Sequence, residues 1–134
     1  KAPNSARAHN NLAVELKRAG KYEEAVAHYR ETIRLDPRFV EAYYNLGNVM
    51  MLRGDLQQAV RYYRQAVELN PGLVVLQMSL ANALFDLGSF EEARIHYLQA
   101  TRLDPGNPEA RMNLERTAMM LNSLKQNPGR REGR

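Results

Sequence analysis

Residues 41–71 read EAYYNLGNVMMLRGDLQQAVRYYRQAVELNP, and this stretch decides the fold. It contains two apolar stripes broken at Arg53-Gly54-Asp55. Tyr43, Leu46, Gly47 and Met50 fall at i, i+3, i+4 and i+7, which is one face of a helix. Ala59, Tyr63, Ala66 and Val67 form a second helical stripe. Gly54 suits the left-handed residue that ends a helix. Pro71 pushes Asn70 out of the α region, so the second helix stops there. Moved by 34 residues either way, the stretch lands on a relative of itself. Gly20, Gly54 and Gly88 share that period, as do Leu12, Leu46, Leu80 and Leu114. Ala25, Ala59 and Ala93 follow it, then Tyr29, Tyr63 and Tyr97, then Pro3, Pro37, Pro71 and Pro105. A fixed period of this size means stacked units that share a core, since one helix pair cannot bury its apolar face alone.

The pattern resembles the tetratricopeptide repeat. With Ala6, Val40, Val74 and Pro108 as position 1, position 7 is Leu12, Leu46, Leu80 and Leu114. Position 8 is Ala13, Gly47 and Ala81, and position 20 is Ala25, Ala59 and Ala93. Position 24 is Tyr29, Tyr63 and Tyr97, and position 32 is Pro37, Pro71 and Pro105. The resemblance covers about residues 6–121. It implies an all-α, right-handed α-solenoid of three helix-turn-helix repeats with a C-terminal capping helix. Fold alone does not name a ligand, because one fold carries many functions.

The expected layout follows the period. Residues 1–5 read as the end of a truncated preceding repeat, because Pro3 stands where Pro37 closes the next one. Repeats then occupy 6–39, 40–73 and 74–107. A capping helix over 108–124 starts at Asn107 as N-cap and Pro108 as first helical residue. Its position 8 is Glu115, a carboxylate that a close-packed partner helix would bury at high cost. Residues 125–134 read as a disordered basic tail.

Composition bounds the function. The 134 residues carry a net charge of +4, but Lys125, Arg130, Arg131 and Arg134 against Glu132 supply +3 of it. The body is nearly neutral, which argues against nucleic acid as a partner. No apolar run has the length to span a bilayer, so no direct membrane insertion is expected. Without cysteine, the chain has no disulfide and no thiolate metal site. It fits a reducing or an oxidising compartment, with the cytoplasm slightly favoured and a periplasmic location open.

No catalytic constellation is visible, and no cofactor or metal is expected. His28 and His96 read as outer-face residues of the second helices. His9, at position 4, reads as a packed core ring, and no ligand partners stand at i+3 or i+4. The remaining candidate is the stripe at positions 2, 5, 6, 9, 12 and 13 of each first helix. In the family that stripe lines the concave inside of the superhelix. Five of the six methionines (Met51, Met78, Met112, Met119 and Met120) fall on it. Methionine adapts to apolar partners, although a stripe of this kind also fits packing between neighbouring first helices. Asn11, Asn45 and Asn113 share position 6, with Ser79 interrupting, and Asn48 and Asn82 stand at position 9. This is similar to the asparagine ladder of the O-linked N-acetylglucosamine transferase repeats. Amide side chains can pair with a peptide backbone of any sequence.

The reading is therefore a non-enzymatic scaffold that binds a peptide or protein segment in its groove. Tyr44, Met51, Met78, Phe85 and Met112 supply apolar contacts, and Asn11, Asn45, Asn48, Asn82 and Asn113 grip backbone. Two alternatives stand beside it: a C-terminal substrate-recruiting region of a larger enzyme or membrane protein, and a homo-oligomerisation module with possible self-association. The chaperone-tail clamp known in the family is not expected. It needs lysine at position 5, where this chain has Asn10, Tyr44 and Met78.

Overall fold

The structure is a computed structural model that describes residues 5–129. Residues 1–4, which carry most of the truncated-repeat expectation, lie outside the described residues, as do 130–134 of the expected tail. Seven helices run α1 (Ala6–Arg18), α2 (Tyr22–Leu35), α3 (Val40–Leu52), α4 (Leu56–Leu69), α5 (Val74–Leu87), α6 (Phe90–Leu103) and α7 (Pro108–Gln126). No strand occurs among the described residues.

Each turn within a repeat is built the same way. Gly20, Gly54 and Gly88 have φ of 77°, 76° and 87°, where a Cβ would be strained. The next amides reach back, Lys21 N to Leu16 O, Asp55 N to Met50 O and Ser89 N to Leu84 O, each at 2.9 Å. With the glycine amides bonded to Lys17, Met51 and Phe85 carbonyls, this is the Schellman closure of a helix. The second helices are closed by Asp36, Asn70 and Asp104, each outside the α region and directly before a proline. At the start of α7, Asn107 Oδ1 accepts from Ala110 N at 3.1 Å and Pro108 fills the first turn.

α7 runs two residues past the expected end, so Lys125 and Gln126 are helical rather than tail. Nothing between Leu121 and Gln126 breaks a helix, and the stop comes only where Asn127 meets Pro128.

The chain forms two compact units, Lys1–Pro71 and Gly72–Arg134. Repeat arrays make contacts only between neighbours, so cohesion is local. In the first unit, the core holds Ala13, Ala25, Tyr29, Leu46, Ala59 and Tyr63. Gly47 explains the close approach of α3 and α4: a Cβ there would lie 2.4 Å from Tyr63 Cε1. Leu12 departs from its repeat partners. It is 46% exposed, whereas Leu46 and Leu80 are at 0%. In the second unit the core holds Leu80, Ala81, Leu84, Ala93, Tyr97 and Ala100. Glu115 is exposed, as its charge requires.

Candidate functional site

Position 9 of the first helices is where core and candidate face meet. In the first unit, the Tyr63 hydroxyl of α4 donates to Asn48 Oδ1 of α3. In the second unit, the Tyr97 hydroxyl of α6 donates to Asn82 Oδ1 of α5. Burial pushes the Tyr97 hydroxyl up to about 12 and raises that of Tyr63 further, so both stay protonated donors. Each bond consumes one acceptor of an amide and fixes its orientation. The Nδ2 groups of Asn48 and Asn82, both half-buried, keep their donor capacity. The first repeat lacks this pairing because Val14 stands at position 9. The Tyr29 hydroxyl is accordingly buried without a partner, and burial pushes it up to about 12.

The first unit presents Asn11 on α1 as an exposed amide. On α3, Tyr44, Asn45, Asn48 and Met51 are half-buried. The Tyr44 ring lies 6.1 Å from that of Tyr63, tilted by 41°. Asn10, on the same stripe, is turned inward: it is 2% exposed, with its Nδ2 3.5 Å from Glu41 Oε2.

The second unit presents Asn82 and Phe85 on α5, both half-buried, and Met112 on α7, 63% exposed. Met78 and Asn113 are 7% and 8% exposed, so a ligand reaches them only at an edge. For Met78 this is the packing alternative that a helical methionine stripe allows. Phe85 meets the edge of Phe90 at 5.0 Å. The Arg116 guanidinium lies 4.4 Å from its ring centroid. Arg116 occupies position 9 of α7, where Asn48 and Asn82 stand earlier, yet the sequence reading left it out of the contact set. The period was the available signal. It marked the place, and only the structure shows the side chain lying on Phe85.

A cavity lies elsewhere in the second unit. It measures about 670 Å³ and is lined by Glu91 and Arg94 of α6 and by Ala118, Met119, Leu121, Asn122 and Lys125 of α7. Among the described residues no group of three or more His, Cys, Asp or Glu side chains could hold a metal ion, and no helix is long and apolar enough to cross a membrane.

Two of the histidines, His28 and His96, differ from the sequence reading. His28 does not point outward. Its Nδ1 lies 3.0 Å from His9 Nδ1, so the two rings join α2 to α1. His96 bonds Gln77 Oε1 through Nδ1 at 2.8 Å in the same way.

Two tetratricopeptide repeat models match the chain, over residues 10–74 and 50–112. The chain carries tetratricopeptide repeats. Among solved structures, it is similar to the first such domain of Spaghetti (RPAP3) bound to the HSP90 peptide SRMEEVD, with a TM-score of 0.81. That match is 24% identical and covers 88% of this chain and 94% of the other. At that identity the likeness shows the fold. No curated protein matches the chain. The all-α repeat architecture expected from the period is thus the one observed.

Proposed function

We propose that these tetratricopeptide repeats form a non-enzymatic scaffold that binds a peptide or protein segment along the free faces of the first helices. The observation that carries this reading is the tyrosine–asparagine bond at position 9. A peptide-binding face needs amides whose orientation is set before the ligand arrives, because ordering side chains on binding costs affinity. Asn48 and Asn82 meet that need, and each has a donor left for a backbone carbonyl. Asn11 and Asn45 add amides with both functions, and Tyr44, Met51, Phe85 and Met112 add apolar surface. The fold neighbour's peptide complex supports a peptide as the class of partner. Position 5 without lysine argues against a chaperone tail as the ligand here.

Selection from a displayed random-peptide library tests the proposal. Peptides retained by the chain are expected to lose about 1–3 kcal/mol of affinity on Asn82→Ala, the cost of leaving a desolvated carbonyl unpaired. Phe85→Ala should cost as much or more if the ring is an anchor. Equal binding by wild type and both variants would contradict the assigned face.

Self-association is the second reading. It rests on Leu12, 46% exposed where Leu46 and Leu80 are fully buried, and on Met119, 72% exposed. Light scattering across a concentration series decides it: a constant monomer mass would remove this reading.

A further inference from the structure

The cavity between α6 and α7 lies where the repeat period places a second helix. Position 11 of the first helices is Met50 on α3 and Leu84 on α5, 6% and 1% exposed in the packed pairs α3–α4 and α5–α6. On α7 the same position is Ala118, which is exposed. Position 21 changes in the same sense. Val26 on α2 is 6% exposed, whereas Arg94 on α6 is exposed. Met119 adds a side chain that is 72% exposed, and Leu121 a half-buried one. Residues 127–134, NPGRREGR, carry no aliphatic or aromatic side chain, so they do not supply a helix with an apolar stripe.

We propose that this cavity docks an amphipathic helix of a partner protein, one whose apolar stripe is edged by acidic side chains. The fold argues for a helix, because α4 and α6 cover the equivalent position of α3 and α5. An apolar stripe at i and i+4 seats on Ala118, Met119 and Leu121, as amphipathic helices seat in apolar grooves. The unbranched chain of methionine adapts to such a partner.

The charges select the partner. Arg94 and Lys125 border the cavity against the single carboxylate of Glu91, which leaves an excess of one positive charge. Neither cation is ion-paired among the described residues. A helix edged by aspartate or glutamate complements that excess, and a basic helix meets like charge. Glu115 limits the reach. It is exposed about one turn before Ala118, and a helix laid along the whole of α7 would bury its carboxylate at high cost. The docked helix therefore covers only the C-terminal half of α7. Asn82 and Phe85 do not line the cavity, so this site is separate from the first-helix faces assigned above.

The test uses the full chain and a displayed library of amphipathic helices of 14 residues, the length of α4 and α6. Leucines are fixed at i and i+4, and the polar positions are random. Helices retained by the wild type should be enriched in aspartate and glutamate. Their affinity should fall about tenfold or more on Arg94→Glu combined with Lys125→Glu, and also on Met119→Glu. These three side chains are exposed, so thermal unfolding of the variants should match the wild type. Asn82→Ala should bind the same helices as well as the wild type does. Retention of no helix, or of helices without acidic enrichment, would overturn the proposal. So would loss of binding on Asn82→Ala with the charge-reversed variant unaffected. A dimer in light scattering that Met119→Glu dissociates would overturn it as well, because a second copy of the chain would then fill the cavity.

Discussion

Val14 stands where the next two repeats have Asn48 and Asn82, and the difference of one side chain leaves the Tyr29 hydroxyl unpaired. Val14→Asn should supply the missing acceptor and raise stability by about 1 kcal/mol in denaturant unfolding, the net worth of one hydrogen bond. No gain would mean that the amide cannot reach the hydroxyl. Gly47 is the converse case. Gly47→Ala would drive a methyl into the Tyr63 ring, which is 4% exposed and tied to Asn48, so it should cost about 1–3 kcal/mol by overpacking. The sequence showed that Gly47 and Tyr63 share a core, because both obey the period. It did not show the Tyr63–Asn48 bond. Those residues are 15 apart across a turn, and hydrophobic periodicity carries no information about which polar atom meets which. The same limit hid the His9–His28 contact.

At the scale of the helices, the punctuation was fully legible. Left-handed glycines and prolines act on their own backbones, so their effect does not depend on tertiary context. The bounds of α2, α4, α5 and α6 match the period because such residues flank them. The end of α7 was less legible because no glycine stands at the equivalent of Gly88. Burial was legible only where a neighbour exists. Leu46→Ala should cost about 2–5 kcal/mol, as for a fully buried leucine. Leu12→Ala occupies the same repeat position but should cost markedly less in the same unfolding experiment, since Leu12 is 46% exposed. Equal costs would mean that something covers Leu12 in solution, which the self-association reading requires.

For the whole molecule, ionisation of the buried tyrosines sets an alkaline limit. Tyr29 and Tyr97 ionise at about 12 in the folded state, against about 10 when unfolded. A raised acid constant means that the folded state holds its proton more tightly. The corresponding stability is fully present below about pH 10 and is lost as pH rises towards 12. Denaturant midpoints should therefore fall over that window, and Tyr97→Phe should flatten the decline. Cohesion within two units, Lys1–Pro71 and Gly72–Arg134, further implies that protection against exchange is not uniform along the chain. α1, with its leucine uncovered, should exchange faster than α3 and α4. The central claim, that the free faces of the first helices carry the partner, is tested most directly by NMR titration of the chain with a peptide from the library selection. Shifts are expected at Asn11, Asn45, Asn48, Asn82, Phe85 and Met112. Shifts confined to second-helix residues such as Glu23, Glu24 and Arg61, with the asparagines unmoved, would contradict it.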